Sequence, residues 1–86
     1  MEKRVGVVAV ILEQKDEINR LNEILHTHSE IILARQGLPM RDKGISVISL
    51  IVEGDTDVIG ALTGKIGRLK GVKVKSVLTD YKGVLL

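Results

Sequence analysis

Apolar residues recur along this 86-residue chain with two periods, and two runs follow neither. Residues 5–12 read Val-Gly-Val-Val-Ala-Val-Ile-Leu, and residues 45–52 read Ile-Ser-Val-Ile-Ser-Leu-Ile-Val. A strand with one wet face alternates apolar and polar positions, whereas a strand covered on both faces is almost continuously apolar. Both runs are therefore expected to be strands buried on two sides. After the first, the charged stretch Glu13-Gln-Lys-Asp16 reads as a loop with Asp16 as helix N-cap. Ile18, Leu21, Ile24 and Leu25 then repeat at helical spacing and predict a helix over 17–27. A second strand is expected over 30–35, around Ile31-Ile-Leu-Ala34. Gly37-Leu-Pro39 and Arg41-Asp-Lys-Gly44 mark the turn into a third strand over 45–53. Gly54-Asp55 ends that strand and opens a second helix. Its apolar stripe is Val58, Ile59, Leu62, Ile66 and Leu69, with Gly71 as the C′ residue. Val72-Lys-Val-Lys75 alternates and begins a fourth strand running to about Leu78. No element is predicted for residues 79–86.

The order βαββαβ is that of the ferredoxin-like α+β sandwich. The expectation is a single domain, 1–86, with a four-stranded antiparallel sheet and both helices on one face. The first and third strands occupy its centre in that arrangement, which matches their doubly apolar character. Lys73 and Lys75 then fall on an edge strand, where charge discourages unwanted strand pairing. Two helices cover only one face of such a sheet. A second copy of the chain is expected on the other, as a homodimer or higher homo-oligomer.

Composition narrows the functions available. The chain is 44% hydrophobic and 28% charged, a globular balance. A domain of this size buries only about 60% of its unfolded surface, so association is a natural supplement to its core. With no cysteine, disulfides, thiolate metal sites and cysteine nucleophiles are excluded. Tyr81 is the one aromatic residue, which argues against a base-stacking platform for single-stranded nucleic acid. The net charge of +2 is too small to imply nucleic acid by itself. The apolar run at 5–12 is far shorter than the roughly 20 residues of a membrane span. Met-Glu-Lys-Arg followed by apolar residues imitates a signal peptide, but no small-residue cleavage site follows and residues 13–17 are strongly charged. A cytoplasmic protein without membrane contact is expected.

Several residue sets invite a chemical reading. Gly60, Gly64 and Gly67 fall at i, i+4 and i+7. At 100° per residue they centre about 160° around the second helix from its apolar stripe. Each glycine costs about 1 kcal/mol relative to alanine, so the set costs about 3 kcal/mol. It marks either close backbone approach by a partner chain or ligand, or else neutral drift or a helix that frays after Gly64. His26 and His28 point apart on a helix, but share a side if the helix has already ended. They are the weak metal candidates, set against a solvated helix end where histidine suits the dipole. Lys65, Arg68, Lys70, Lys73, Lys75 and Lys82 form a basic segment, either a phosphate-facing surface or a solvated helix and edge strand. Asp55 and Asp57 lie in the first turn of the second helix, where carboxylates cap amides. Ser46 and Ser49 fall on opposite faces of their strand. No catalytic residue, cofactor or enzymatic activity is predicted.

Gly54-Asp55, Leu62-Thr-Gly-Lys-Ile-Gly67, Gly71-Val72 and Arg35-Gln-Gly-Leu-Pro39 together resemble a small family described as iron-only hydrogenase system regulators. The likeness covers essentially the whole chain. Members look like stand-alone relatives of ACT regulatory domains and of the C-terminal domain of nickel-responsive repressors. The resemblance implies a self-associating ACT-like fold and a regulatory role in hydrogenase maturation or expression. It also implies a small ligand at the subunit interface, near Glu13, Gln14, Asp16, the start of the first helix and Arg35. The alternatives are a metal-responsive switch using His26 and His28, and a scaffold docking other proteins through the glycine face. The loop at 13–16 lacks the Pro and Gly of amino-acid-binding ACT domains. The second strand reads Leu33-Ala-Arg-Gln36 where nickel repressors carry a His-x-His pair. High-affinity nickel binding and direct DNA binding are therefore not carried over, and a transcriptional role would require a partner protein.

Overall fold

The computed structural model describes residues 3–81. Four strands, β1 (Arg4–Leu12), β2 (Ile32–Met40), β3 (Ile45–Gly54) and β4 (Val72–Leu78), form one sheet in the order β2-β3-β1-β4. Every neighbouring pair is antiparallel. Helix α1 (Ile18–Thr27) joins β1 to β2, and α2 (Thr56–Gly67) joins β3 to β4. The layout is ferredoxin-like, with the two continuous apolar runs as the central strands.

Strand register shows why those runs are apolar throughout. Val10 pairs with Ile48, Val8 with Leu50 and Gly6 with Val52, and all of these face the helices. Leu21 and Leu25 from α1, with Ile59, Leu62 and Ile66 from α2, close over them into one core. A Cβ on Gly6 would lie 2.6 Å from the Val77 carbonyl oxygen, so this central position admits only glycine. The alternate residues of β1 and β3 point to the face that carries no helix.

The Asp55 carboxylate Oδ1 accepts from the Val58 N–H at 2.8 Å, which starts α2 as its position after the strand predicts. At α1 the expectation of an Asp16 cap is corrected. Lys15–Glu17 forms a 3-10 turn in which the Glu17 amide donates to the Gln14 carbonyl at 3.2 Å. Asp16 is thus inside that turn, Glu17 takes the N-cap position of α1, and no side chain caps the helix. Gly71 is also reassigned. The helix ends at Gly67 with Arg68 in the capping position, and Gly71, with φ +70°, shapes the turn into β4.

The second strand differs most from the sequence reading. It starts later than residue 30, because Ser29–Ile31 makes a 3-10 turn, and it runs on to Met40 through Gly37-Leu-Pro39. Proline cannot donate to a ladder and is tolerated on an edge strand, which is where Pro39 lies, paired with Ser46. The reversal is confined to residues 41–44, closed by the Lys43 amide on the Met40 carbonyl at 3.0 Å and by Gly44 at φ +68°. Met1, Glu2 and Lys82 lie outside the described residues.

Candidate functional site

The face of the sheet opposite the helices carries Val7, Leu38, Ile51 and Val77, four of the exposed large apolar side chains among the described residues. Its rows follow from the ladders. One row is Leu38, Val47, Ile11 and Lys73, crossing β2, β3, β1 and β4 in turn. The next is Gln36, Ser49, Ala9 and Lys75, and the third is Ala34, Ile51, Val7 and Val77. Leu38 and Val77 are 59% and 68% exposed, and Val7 and Ile51, on the central strands, 47% and 45%. Large apolar side chains at that exposure in the middle of a sheet are an uncovered surface. Shallow depressions of about 460 Å³ beside Ala9 and Ile11, and about 270 Å³ beside Leu38 and Val47, give it relief.

Gly37-Leu-Pro39 carries turn residues, which mask the β2 contribution to this face in the sequence. The period-2 sequence Ala34, Gln36, Leu38, Met40 is the signal that reveals it.

Of the residues implied as ligand-binding, Arg35 lines a cavity. It leaves β2 on the helix side, opposite Leu50, and its Nη2 donates to Asn22 Oδ1 on α1 at 2.9 Å. With Asn22, Leu25, His26, Ser29 and Ile32 it lines an open cavity of about 380 Å³. Glu13, Gln14 and Asp16 lie elsewhere. Glu13 sits at the end of β1, with its carboxylate 3.5 Å from Lys73 Nζ and its amide bonded to the Gly71 carbonyl at 2.8 Å. The Gln14 side chain packs where a Gly71 Cβ would stand, 2.6 Å from it. Asp16 belongs to the 3-10 turn before α1.

His26 and His28 turn to different neighbours. His26 borders the Arg35 cavity, whereas His28 Nε2 lies 3.2 Å from Lys65 Nζ on α2. Partial burial, and then the Lys65 charge, lower the His28 pKa from its ordinary value of 6.5. A cation already against its ring opposes a second one. Among the described residues no three His, Asp or Glu side chains group as metal ligands.

The basic segment does not form one patch, since Lys65 meets α1 while Lys73 and Lys75 stand on the open sheet face. Gly60 and Gly64 face open space, but a Cβ on Gly67 would lie 3.4 Å from Val74 Cγ1. The third glycine therefore lies against β4 and not on the outward stripe. Ser46 faces the helix layer and Ser49 the open side, as their spacing requires.

Fold and site together define a small ferredoxin-like α+β protein with one sheet face left open. Residues 4–76 match the TM1266-like family model, described as iron-only hydrogenase system regulator. The chain belongs to that family. It is 40% identical to the uncharacterized protein TM1266 from Thermotoga maritima, whose structure superposes with a TM-score of 0.86 over 90% of this chain and 98% of the other. An unknown protein from Galdieria sulphuraria shares the fold at 14% identity, with a TM-score of 0.62 over 93% of this chain and 47% of the other. The de novo designed protein Foldit4 does so at 16% identity, with a TM-score of 0.56 over 93% and 99%. No curated protein matches the chain. Among the described residues, no helix is long and apolar enough to cross a membrane.

Proposed function

We propose that the protein is a non-enzymatic regulatory module of an iron-only hydrogenase system, acting in the cytoplasm and working by self-association through its open sheet face. The observation that carries this is the exposure of Val7 and Ile51 on the two central strands, where an isolated antiparallel sheet would alternate to polar residues. The family description supports an iron-only hydrogenase system as the regulated one. With its cations divided between two surfaces, the domain requires a partner protein for any role in transcription.

Two measurements test the reading. Light scattering at micromolar concentration should give a dimer or larger assembly, and a clean monomer sinks the self-association. Deleting the gene in a host with an iron-only hydrogenase should change hydrogenase transcript or activity. Unaltered levels of both would refute the regulatory role.

A small-ligand role has its own supporting observation. Arg35 makes no ion pair among the described residues, and the cavity it borders is lined also by the apolar Leu25 and Ile32 and the polar Ser29 and His26. A cavity with a few convergent polar groups is the usual form of a small-molecule site. Titration with short-chain carboxylates, followed by amide NMR, should move Ser29 and Arg35; silent spectra would remove this role. The metal-switch alternative is weaker, because Lys65 lies against His28.

A further inference from the structure

Resting on the self-association proposed above, we infer how the two copies face each other: the two-fold axis runs along the strands, so that β4 of each copy lies over β2 of its partner. A face-to-face dimer of identical sheets is isologous, with its axis in the plane between the sheets. Aligned packing of twisted sheets leaves two choices. With the axis along the strands, the strand order reverses across the interface, and β4 covers the partner's β2. With the axis across the strands, β4 covers the partner's β4.

The charges on the open face separate the two. β4 presents Lys73 and Lys75 to it, while β2 presents Ala34, Gln36, Leu38 and Met40, none of them charged. Placing β4 on the partner's β4 brings four ammonium groups into one contact. Glu13 offsets only Lys73, at 3.5 Å, and Lys75 makes no ion pair among the described residues. The other open-face acid, Glu53, pairs with Val5 at the far end of β3, away from both lysines. Like charges in a partly desolvated interface are strongly unfavourable. With the axis along the strands, Lys75 instead meets the partner's Gln36, whose side-chain carbonyl accepts from an ammonium.

The same arrangement matches the rows. Gln36, Ser49, Ala9 and Lys75 form a middle row of small or polar residues. An axis along the strands lays this row on itself, and each flanking apolar row on its own copy. Leu38 then covers the aliphatic stem of Lys73, leaving that ammonium at the rim beside Glu13.

Because the chain lacks cysteine, single-cysteine variants report the arrangement directly. Sheets pack about 10 Å apart and strands about 4.8 Å apart. Position 36 of one copy should then stand roughly 10 Å from position 75 of the other, and the two 75 positions about 17 Å apart. The experiment mixes Gln36→Cys and Lys75→Cys proteins, lets subunits exchange, and adds a bifunctional thiol reagent reaching about 10 Å. The expected result is a cross-linked heterodimer from the mixture and almost none from Lys75→Cys alone. Self-cross-linking of Lys75→Cys, or a dimer by sedimentation that cross-links in neither sample, overturns this arrangement and leaves the self-association standing. Variants and parent that all sediment as monomers remove the self-association itself.

Discussion

Ile51→Ala separates the two faces of the sheet more sharply than any other substitution. Ile51 lies on central strand β3 between Val7 and Ala34, and 45% of it is exposed. Fully burying an aliphatic side chain of this kind contributes about 1.5–3 kcal/mol. The exposed part therefore holds about 0.7–1.4 kcal/mol for an interface to recover. An isologous interface uses the residue twice, so truncation should cost about 1.4–2.7 kcal/mol of dimer stability. That corresponds to a dissociation constant roughly 10- to 100-fold higher. Sedimentation equilibrium across a concentration series measures it, with circular dichroism confirming that the fold is kept. Ile51→Lys should leave monomers at micromolar concentration, since it sets a charge in the contact as well. Ile48→Val is the internal control. Ile48 is three residues earlier, faces the helices and is 3% exposed, so it should lose about 0.5–1.5 kcal/mol of folding stability with no change in the dissociation constant. A folded Ile51→Ala protein that dimerises within threefold of the parent would refute the assignment of the open face.

Other perturbations test local physics. Asp55→Ala removes the acceptor 2.8 Å from the Val58 amide and should cost about 1 kcal/mol, lowering Tm by about 4–8 °C for a domain of this size; calorimetry reads it. Gly60→Ala and Gly64→Ala point into open space, so each should raise stability by up to about 1 kcal/mol, whereas Gly71→Ala, at φ +70° and against Gln14, should lower it. Loss of assembly by the Gly60 and Gly64 variants would show that a partner uses that helix face. The native pKa of His28 lies below its unfolded value, so the unfolded state binds more protons. Its contribution to stability is therefore full above about pH 6.5 and falls as pH drops through the window down to the native pKa. Lys65→Met removes only the second of the two causes, so an NMR titration should show the His28 pKa rising part of the way back.

Much of this protein is legible in its residues because period reports environment. The runs at 5–12 and 45–52 are central strands, and the helical stripe around Leu21 and Leu25 packs as spaced. Asp55 caps α2 where a carboxylate directly after a strand should. Misreadings gather where two local signals compete. Pro39 reads as a turn in sequence, yet an edge strand tolerates it because nothing needs its missing N–H. Asp16 reads as a cap, but it lies inside the 3-10 turn Lys15–Glu17, so Glu17 takes the N-cap position of α1 and no side chain caps it.

The residue pattern alone establishes the element order, the choice of central strands and the existence of a second apolar face, because each is encoded in neighbours along the chain. Which side chains share that face is a matter of register, which pairs Lys75 with Ala9 and Ser49 with Gln36 across four strands. The cavity beside Arg35 and the contact of His28 with Lys65 likewise join residues 13 and 37 positions apart. Contacts of that range are decided when layers pack, because only then is the distance between elements set, and with it which side chains meet.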